Sequence, residues 1–214
     1  MNKRILLVPA ALLLTASSVV SADAGLGLKA STLGAGIELG ISLTDKFTAR
    51  VGLNQQSLSD DQTIDQIKYS ADLDLKSTSM LLDWHPMGGT FHLTAGYLLS
   101  DNKLRAKATP ATSVSIGGNT YSPSDVGNIS ATAKLGNGPY LGLGWGNIPA
   151  SGLGFTFELG VVQMAKPDVT LKIDDPNGVI AAAGDIAKEQ ANMEKDLKDL
   201  ETYPVVSVGL SYGF

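Results

Sequence analysis

The stretch "VVSVGLSYGF" (residues 205–214) decides the fold of this 214-residue chain. Every second residue in it is bulky and apolar, namely Val206, Val208, Leu210, Tyr212 and Phe214, and the residues between them are Ser or Gly. Successive side chains of a β-strand point to opposite faces, so this period of two predicts a strand with one apolar face and one face of small residues.

The same period of two recurs along most of the chain. It is clearest in "LGAGIELGISL" (33–43), "FTARVGL" (47–53), "FHLTAGYLL" (91–99) and "LGFTFELGV" (153–161). The second face of these segments carries Gly, Ser and Thr with a rare charge, whereas a face in contact with water would carry many Lys and Glu. Small residues suit the crowded interior of a small barrel whose apolar face contacts lipid.

The lengths of the connecting segments alternate along the chain. Short segments rich in Gly, Pro or Asp occupy 43–47, 85–91 and 146–153, and longer polar segments occupy 59–66, 108–127 and 174–202. This asymmetry is typical of outer-membrane barrels, which have short periplasmic turns and long outer loops. The sequence therefore predicts an all-β fold, an eight-stranded antiparallel transmembrane β-barrel, with strands near 25–32, 34–44, 47–59, 67–84, 91–107, 128–145, 153–172 and 203–214.

Two places in this arrangement stay open. The apolar phase switches between Leu28 and Leu33, which indicates either a tight outer turn near Thr32 or a bulge in one long strand. The segment 185–201 places four apolar residues on one helical stripe, Ile186, Met193, Leu197 and Leu200. It is either a short helix in the last outer loop or a solvated loop.

Residues 1–22 have the features of a signal peptide. Lys3 and Arg4 form a basic n-region, residues 5–14 form an apolar core too short to span a membrane, and small residues near Ala22 form a cleavage site. We therefore expect a cleaved signal peptide, a mature barrel of residues 23–214, and a location in the outer membrane of a Gram-negative bacterium.

The charge and composition exclude several classes of function. Loss of Lys3 and Arg4 leaves 14 Lys+Arg against 21 Asp+Glu, which changes the formal charge from −5 to −7. Nucleic acid is excluded as a partner, because its binding proteins carry a basic footprint. The chain has no Cys, which excludes disulfides and thiolate metal sites.

Ionisable residues on the inward face of the predicted strands are the candidate site. They form a predicted lumen charge cluster of Glu38, Arg50, Asp83, His92 and Glu158. Unpaired charges in a narrow interior are costly, so we expect Arg50 to pair with Glu38 and Glu158. The cluster is either a gate in a polar pathway or a salt-bridged plug that fills the barrel, whose interior is just wide enough for side chains.

Aromatic residues mark the expected membrane interface. A predicted girdle at the periplasmic end consists of Phe47, Trp84, Phe91, Trp145 and Tyr212. Both histidines, His85 and His92, lie at the same end, away from the outer leaflet, and we expect His85 at the interface. No third ligand stands beside them in the sequence, so we expect no metal site and no cofactor. A barrel enzyme that acts on lipid needs a base, usually a histidine, near the outer leaflet, so we also expect no enzymatic activity.

Six segments carry a resemblance to a known family. They are "LLDWHPMGG" (81–89), "LTAGYLLSDNKL" (93–104), "GNTYSPSDVG" (118–127), "GPYLGLGWGN" (138–147), "LGVVQMAKPDVTLK" (159–172) and "YPVVSVGLSYGF" (203–214). Their order and spacing resemble small proteobacterial outer-membrane β-barrels and are similar to the CarO-type channel. The resemblance implies an eight-stranded barrel and, for one branch, porin-like transport of ornithine and other basic amino acids.

The leading hypothesis is therefore passive uptake of small solutes, with basic amino acids suggested by the resemblance. The alternative is a non-conducting barrel that stabilises the cell envelope and displays surface loops. The expected partners are outer-membrane lipid, lipopolysaccharide, the barrel-assembly machinery during biogenesis and, for a channel, a small solute.

The alternating closing strand predicts how the barrel is assembled. By resemblance, Val206, Val208, Leu210, Tyr212 and Phe214 form the signal that the barrel-assembly machinery recognises. Deletion of Phe214 should lower the amount of folded protein in outer-membrane fractions, measured as the heat-modifiable band on gels, whereas Phe214→Tyr should keep it. Insertion of the truncated chain at the normal level would contradict this account.

Overall fold

The computed structural model describes residues 23–64 and 67–214, and within them the chain forms thirteen strands and two α-helices. The strands are β1 (Ala24–Ser31), β2 (Gly34–Thr44), β3 (Phe47–Ile64), β4 (Ile67–Trp84), β5 (Phe91–Ser100), β6 (Lys103–Thr109), β7 (Val114–Ile116), β8 (Asn119–Tyr121), β9 (Ile129–Lys134), β10 (Gly138–Trp145), β11 (Gly152–Gln163), β12 (Asp168–Ile173) and β13 (Thr202–Gly213). The helices are α1 (Val179–Ala182) and α2 (Asp185–Asp196), followed by a 3-10 helix (Leu197–Glu201). The described part of the chain contains no helix with the length and apolar character needed to span a membrane.

Eight of these strands form a closed antiparallel ring. Their order around the ring is β1, β2, β3, β4, β5, β10, β11 and β13, and β13 pairs again with β1. At the closure Leu26 pairs with Tyr212, and the backbone N–H of Phe214 donates to the carbonyl of Ala24 at 3.0 Å. Pairing of the last strand with the first removes both sheet edges, and the predicted eight-stranded barrel is confirmed.

The period of two in the sequence separates an apolar exterior from a tightly packed interior. In β13, Leu210 and Tyr212 are 62% and 56% exposed, whereas Ser211 between them is 5% exposed. The bulky side chains thus point away from the protein interior, which is the reverse of a water-soluble fold. Such an exterior is stable only against the acyl chains of a lipid bilayer.

The first hairpin turns tightly, as one of the two alternatives expects. Ser31 of β1 pairs with Gly34 of β2 across a turn formed by Thr32 and Leu33. The Ser31 hydroxyl accepts from the N–H of Leu33 at 3.2 Å and donates to the carbonyl of Gly34 at 3.0 Å. Gly34 has a φ of 107°, which glycine adopts without steric cost. The alternative of a bulge in one long strand is wrong.

Three of the predicted strands are interrupted, and this corrects the sequence-based boundaries. The predicted strands 91–107, 128–145 and 153–172 are broken at 101–102, 135–137 and 164–167. At the first two breaks an asparagine side chain replaces a strand partner: Asn102 Oδ1 accepts from Lys76 N, and Asn137 Oδ1 accepts from Ser100 N, both at 2.7 Å. At the third break Pro167 has no N–H to offer a ladder.

Above the breaks the strands continue as a second, open sheet, here called the outer sheet. It consists of the last part of β3 and the first part of β4 with β6, β9 and β12. In β12, Val169 and Leu171 are buried, and α2 packs against this strand. Much of the long segments that the sequence assigns to outer loops is therefore folded. In particular, β3 extends to residue 64, whereas the sequence predicts that it ends at residue 59.

A small cap of secondary structure packs against the outer sheet. The segment 185–201 is α2 with its 3-10 extension, so the helical alternative is correct. A separate apolar cluster of Ile116, Val126 and Ile180 joins the β7–β8 hairpin to the α1–α2 segment.

Asp185 fixes the contact between the hairpin and α2. Its carboxylate accepts from Lys188 Nζ at 2.7 Å, from Asn119 Nδ2 at 2.6 Å and from the Tyr121 hydroxyl at 2.5 Å. The hydrogen bond from Lys188, followed by those from Tyr121 and Asn119, lowers the pKa of Asp185 to about 2. The group therefore stays ionised above that pH and keeps the hairpin docked.

At the opposite end of the barrel, which carries the short turns, an apolar side chain fills the interior. Ile148 follows β10 and is 4% exposed. A Cβ added at Gly25 would lie 2.2 Å from Ile148 Cγ2, and one added at Gly40 would lie 2.0 Å from its Cδ1. The absence of side chains at these two glycines is what lets Ile148 enter.

Candidate functional site

The predicted lumen charge cluster comes together inside the barrel. Its members come from β2, β3, β4, β5 and β11, and each side chain points inward at a position of the predicted parity. All five residues, Glu38, Arg50, Asp83, His92 and Glu158, are buried. Strands far apart in sequence meet here because closure of the ring brings their inward faces around one axis.

Arg50 is the centre of the cluster. Its Nη1 donates to Glu38 Oε1 at 3.0 Å, its Nε and Nη2 donate to the two oxygens of Asp83 at 2.6 and 2.7 Å, and its Nη2 donates to Glu158 Oε2 at 2.5 Å. The contact with Asp83 is the bidentate geometry that a guanidinium forms best with a carboxylate. One guanidinium thus connects strands on opposite sides of the ring.

Three residues that the sequence analysis missed complete the cluster. Lys29 Nζ donates to Glu38 Oε2 at 2.7 Å, the Thr94 hydroxyl donates to Asp83 Oδ1 at 2.8 Å, and the Tyr140 hydroxyl donates to Glu158 Oε1. All three have inward parity on their strands, so a complete parity count would have found them. Because Lys29 and Tyr140 lie away from the short turns, a search near those turns alone overlooks them.

The cluster is not neutral when its histidine is neutral. Arg50 and Lys29 contribute two positive charges, and Glu38, Asp83 and Glu158 contribute three negative charges. Protonated His92 would balance the remaining negative charge. Its Nε2 lies 3.6 Å from Glu158 Oε2, too far for a hydrogen bond, and has no partner among the described residues.

Closure of the barrel also brings together a possible set of metal ligands that the sequence pattern did not reveal. Asp83, His92 and Glu158 each offer one ligand atom, and these atoms lie within 4.8 Å of one another. His85 is buried, not at the interface as expected, and its ring centroid lies 5.3 Å from that of His92. Arg50 already occupies oxygens of both carboxylates, so a cation bound there would face a positive charge within contact distance.

Side chains fill the interior at the level of Arg50. If the lumen were open to water, the side chains that line it would be exposed. Arg50 is only 7% exposed and Glu158 only 6% exposed. A cavity of about 20 Å³ adjoins them, lined in part by Lys29, Ser79 and Tyr140, and this volume holds about one water molecule.

An apolar layer lies above this cavity, towards the end that carries the long segments. It is formed by Leu33, Leu81, Leu98, Leu135, Tyr140, Val162, Met164 and Val205, with Leu200 and Tyr203 packed against it. The interior is therefore built in three layers, with Ile148 at the turn end, the charged cluster in the middle and this apolar layer above.

The residues assigned to the aromatic girdle lie on the exterior at the turn end. Phe47, Trp84, Trp145 and Tyr212 are 38–56% exposed, and Phe91 is half-buried. The ring centroids of Phe91 and Trp145 lie 5.6 Å apart. Val206, Val208, Leu210 and Phe214 are exposed on the same exterior surface. Their role as an assembly signal stays a prediction.

The closed ring, the apolar exterior and the short-turn asymmetry define this chain as an outer-membrane β-barrel protein. Its fold is shared by two solved structures from Acinetobacter baumannii. CarO2 is 22% identical, with a TM-score of 0.59 over 90% of this chain and 98% of CarO2. CarO is 19% identical, with a TM-score of 0.53 over 89% of this chain and 97% of CarO.

The CarO-type resemblance that the sequence suggests is thus confirmed for the fold. At these identities the likeness concerns the fold alone. No family model matches the chain, and no curated protein matches it.

Removal of the Arg50 side chain should strongly destabilise the barrel. Arg50→Ala leaves three buried carboxylates without their shared cation, and breaking a buried pair in this way costs about 3–5 kcal/mol. Lys166→Ala, which breaks an exposed pair with Glu194, should cost about 0–1 kcal/mol. The measurement is the urea midpoint of the heat-modifiable form in detergent.

Arg50→Lys keeps the charge but loses the bidentate fork, so its midpoint should lie between those of the wild type and Arg50→Ala. It also provides a measurement if Arg50→Ala does not fold. Equal urea midpoints for Arg50→Ala and Lys166→Ala would contradict the prediction that the buried cluster stabilises the barrel more than an exposed ion pair does.

Proposed function

We propose that this protein is a barrel closed along its axis that stabilises the outer membrane and acts through the outer sheet and cap above the bilayer. The observation that carries the proposal is the guanidinium of Arg50, which is bonded to carboxylates from β2, β4 and β11 in the middle of the lumen. The proposal includes no catalytic reaction.

The energy needed to open the lumen supports this function. A solute that passes along the axis must displace Arg50 from its three carboxylates, as well as the layers on either side. Disruption of a buried ion pair costs about 3–5 kcal/mol, so a spontaneously opened state would be occupied by roughly one molecule in 150 to one in 5,000. Such an interior suits a structural plug better than a diffusion pore.

The ordered parts outside the barrel give the protein a surface that it can present. The outer sheet, the β7–β8 hairpin and α2 form a continuous folded unit that is held by Asp185 and by the cluster of Ile116, Val126 and Ile180. Because these residues are already ordered, a partner that binds them does not meet the entropy cost of ordering a loose segment, which suits a recognition surface.

We propose that residues 1–22, which lie outside the described residues, direct export and are then removed.

A second candidate function is slow passage of basic amino acids. The cluster has three carboxylates and two cations, and Lys29 lies on Glu38 at the side of the cavity. The ammonium group of a basic amino acid has the same chemistry as Lys29 Nζ and could replace it on Glu38. The net negative charge would favour such a solute over an acidic one.

Uptake into proteoliposomes separates the two functions. For a closed barrel, labelled ornithine, lysine and glutamate should enter liposomes that contain the wild type no faster than they enter empty liposomes. Reproducible entry of any of them above the empty control would overturn the proposal of a closed barrel.

The same assay tests the second candidate with matched variants. Slow passage predicts that ornithine and lysine enter faster than glutamate and that Lys29→Ala changes this ratio. Lys46→Ala alters an exposed lysine in a short turn and should leave the ratio unchanged. Equal entry of acidic and basic amino acids would rule out the charge-based mechanism.

A further inference from the structure

The exterior face of the barrel changes character at a defined height. β5 (Phe91–Ser100) has ten residues, which is the length that a tilted strand needs to cross the hydrocarbon of a bilayer. Up to Ser100 its outward residues are Phe91, Leu93, Ala95, Tyr97 and Leu99. Residues beyond the break at 101–102 therefore lie at and above the level of the lipid headgroups.

Strand register shows which side chains continue this exterior face. Met80 and Leu82 of β4 are exposed on the lipid side, and Asp74 of the same strand has the same parity. Asp74 pairs with Lys103 of β6, and Lys103 pairs with Lys134 of β9. Residues directly opposite each other share a face, so both lysines lie on the exterior above the lipid-facing surface.

The exterior face of β6, β9 and β12 is strongly basic. Its charged residues comprise one acid, Asp168, and five cations, here called the basic face: Lys103, Arg105, Lys107, Lys134 and Lys172. The adjoining β4 adds Asp72, Asp74 and Lys76 on the same face. The whole chain has a formal charge of −5, so the cations are concentrated where the outer sheet leaves the membrane.

Several of these cations have no protein partner. Arg105 pairs with Asp74, and Lys103 pairs with Asp101 at 2.8 Å. Among residues 23–64 and 67–214, Lys107, Lys134 and Lys172 form no ion pair, and all three are exposed. Their charges are available to an external anion.

The pairing of Lys103 with Lys134 adds an independent argument. The two residues are directly opposite each other in the β6–β9 ladder, and like charges at such positions destabilise a sheet. An anion placed between them would turn this repulsion into attraction. Asp101 pairs with Lys103, and Asp168 lies opposite Lys134 in the next ladder, so this repulsion is partly offset in the isolated protein. A dense layer of negative charge next to the face would offset the remainder.

We propose that the basic face binds the phosphate groups of lipopolysaccharide in the outer leaflet. The barrel positions this face directly above the acyl chains, where the phosphorylated sugars of that lipid lie, and its charge is complementary to them. Each cation near an anionic lipid surface adds an attraction that sums over the patch. This site is independent of whether a solute passes through the barrel.

The test uses the full chain purified in detergent and measures its affinity for purified lipopolysaccharide. The triple variant Lys107→Glu, Lys134→Glu and Lys172→Glu should bind about 100-fold more weakly than the wild type. The matched control is Lys46→Glu, Lys195→Glu and Lys198→Glu, which makes the same charge change at exposed lysines away from the face. It should bind like the wild type, and both variants should keep the heat-modifiable band of the folded barrel.

Two further measurements identify the ligand chemistry. Lipopolysaccharide from which the phosphates have been removed should bind the wild type about 10-fold or more weakly, and added salt should weaken binding of the phosphorylated form. Equal affinity for the two lipids, or equal loss in the two triple variants, would overturn the proposal. Full displacement of the lipid by inorganic phosphate at micromolar concentration would show a site for free phosphate instead, and would also overturn it.

Discussion

The structure depends on one guanidinium that three carboxylates share inside a closed ring of strands. Arg50 forms ion pairs with Glu38, Asp83 and Glu158. Neither the cation nor the anions would be stable there alone, because the free-energy cost of burying an unpaired charge exceeds the stabilisation from any single hydrogen bond. The ring must therefore close in one register for the charges to meet. The cluster thus fills the lumen and depends on the register of the closed ring.

The barrel could be predicted from sequence because its two faces differ so sharply. Apolar residues such as Leu210 and Tyr212 alternate with Gly and Ser, and this pattern fixes strand, face and register parity without knowledge of neighbours. The inward parity of Glu38, Arg50 and Glu158 follows from the same pattern. Their convergence is a property of the closed ring, and it could be inferred once a barrel was assumed.

The features that could not be predicted from the sequence depend on individual side-chain hydrogen bonds, which leave no periodic pattern in the sequence. The breaks at Asn102 and Asn137 arise because an amide side chain replaces a backbone partner. Lys29 and Tyr140 lie on β1 and β10 away from the short turns, so a search for inward charges near those turns does not find them. Asp185 lies in a helix, and its contacts with Asn119 and Tyr121 come from a hairpin more than sixty residues earlier.

Side chains, and not a column of water, fill the interior around Arg50. The chain has no Cys, so a single thiol at Ser79, an inward position beside the cavity that is 3% exposed, reports directly on access. The decisive measurement is the rate at which a small water-soluble thiol reagent modifies Ser79→Cys in liposomes, compared with Ser113→Cys in the exposed outer segment. The account predicts that Ser79→Cys reacts about 100-fold more slowly, since reagent reaches it only when the buried pairs open. Similar rates at the two positions would mean that the lumen is open to water, and would contradict the account.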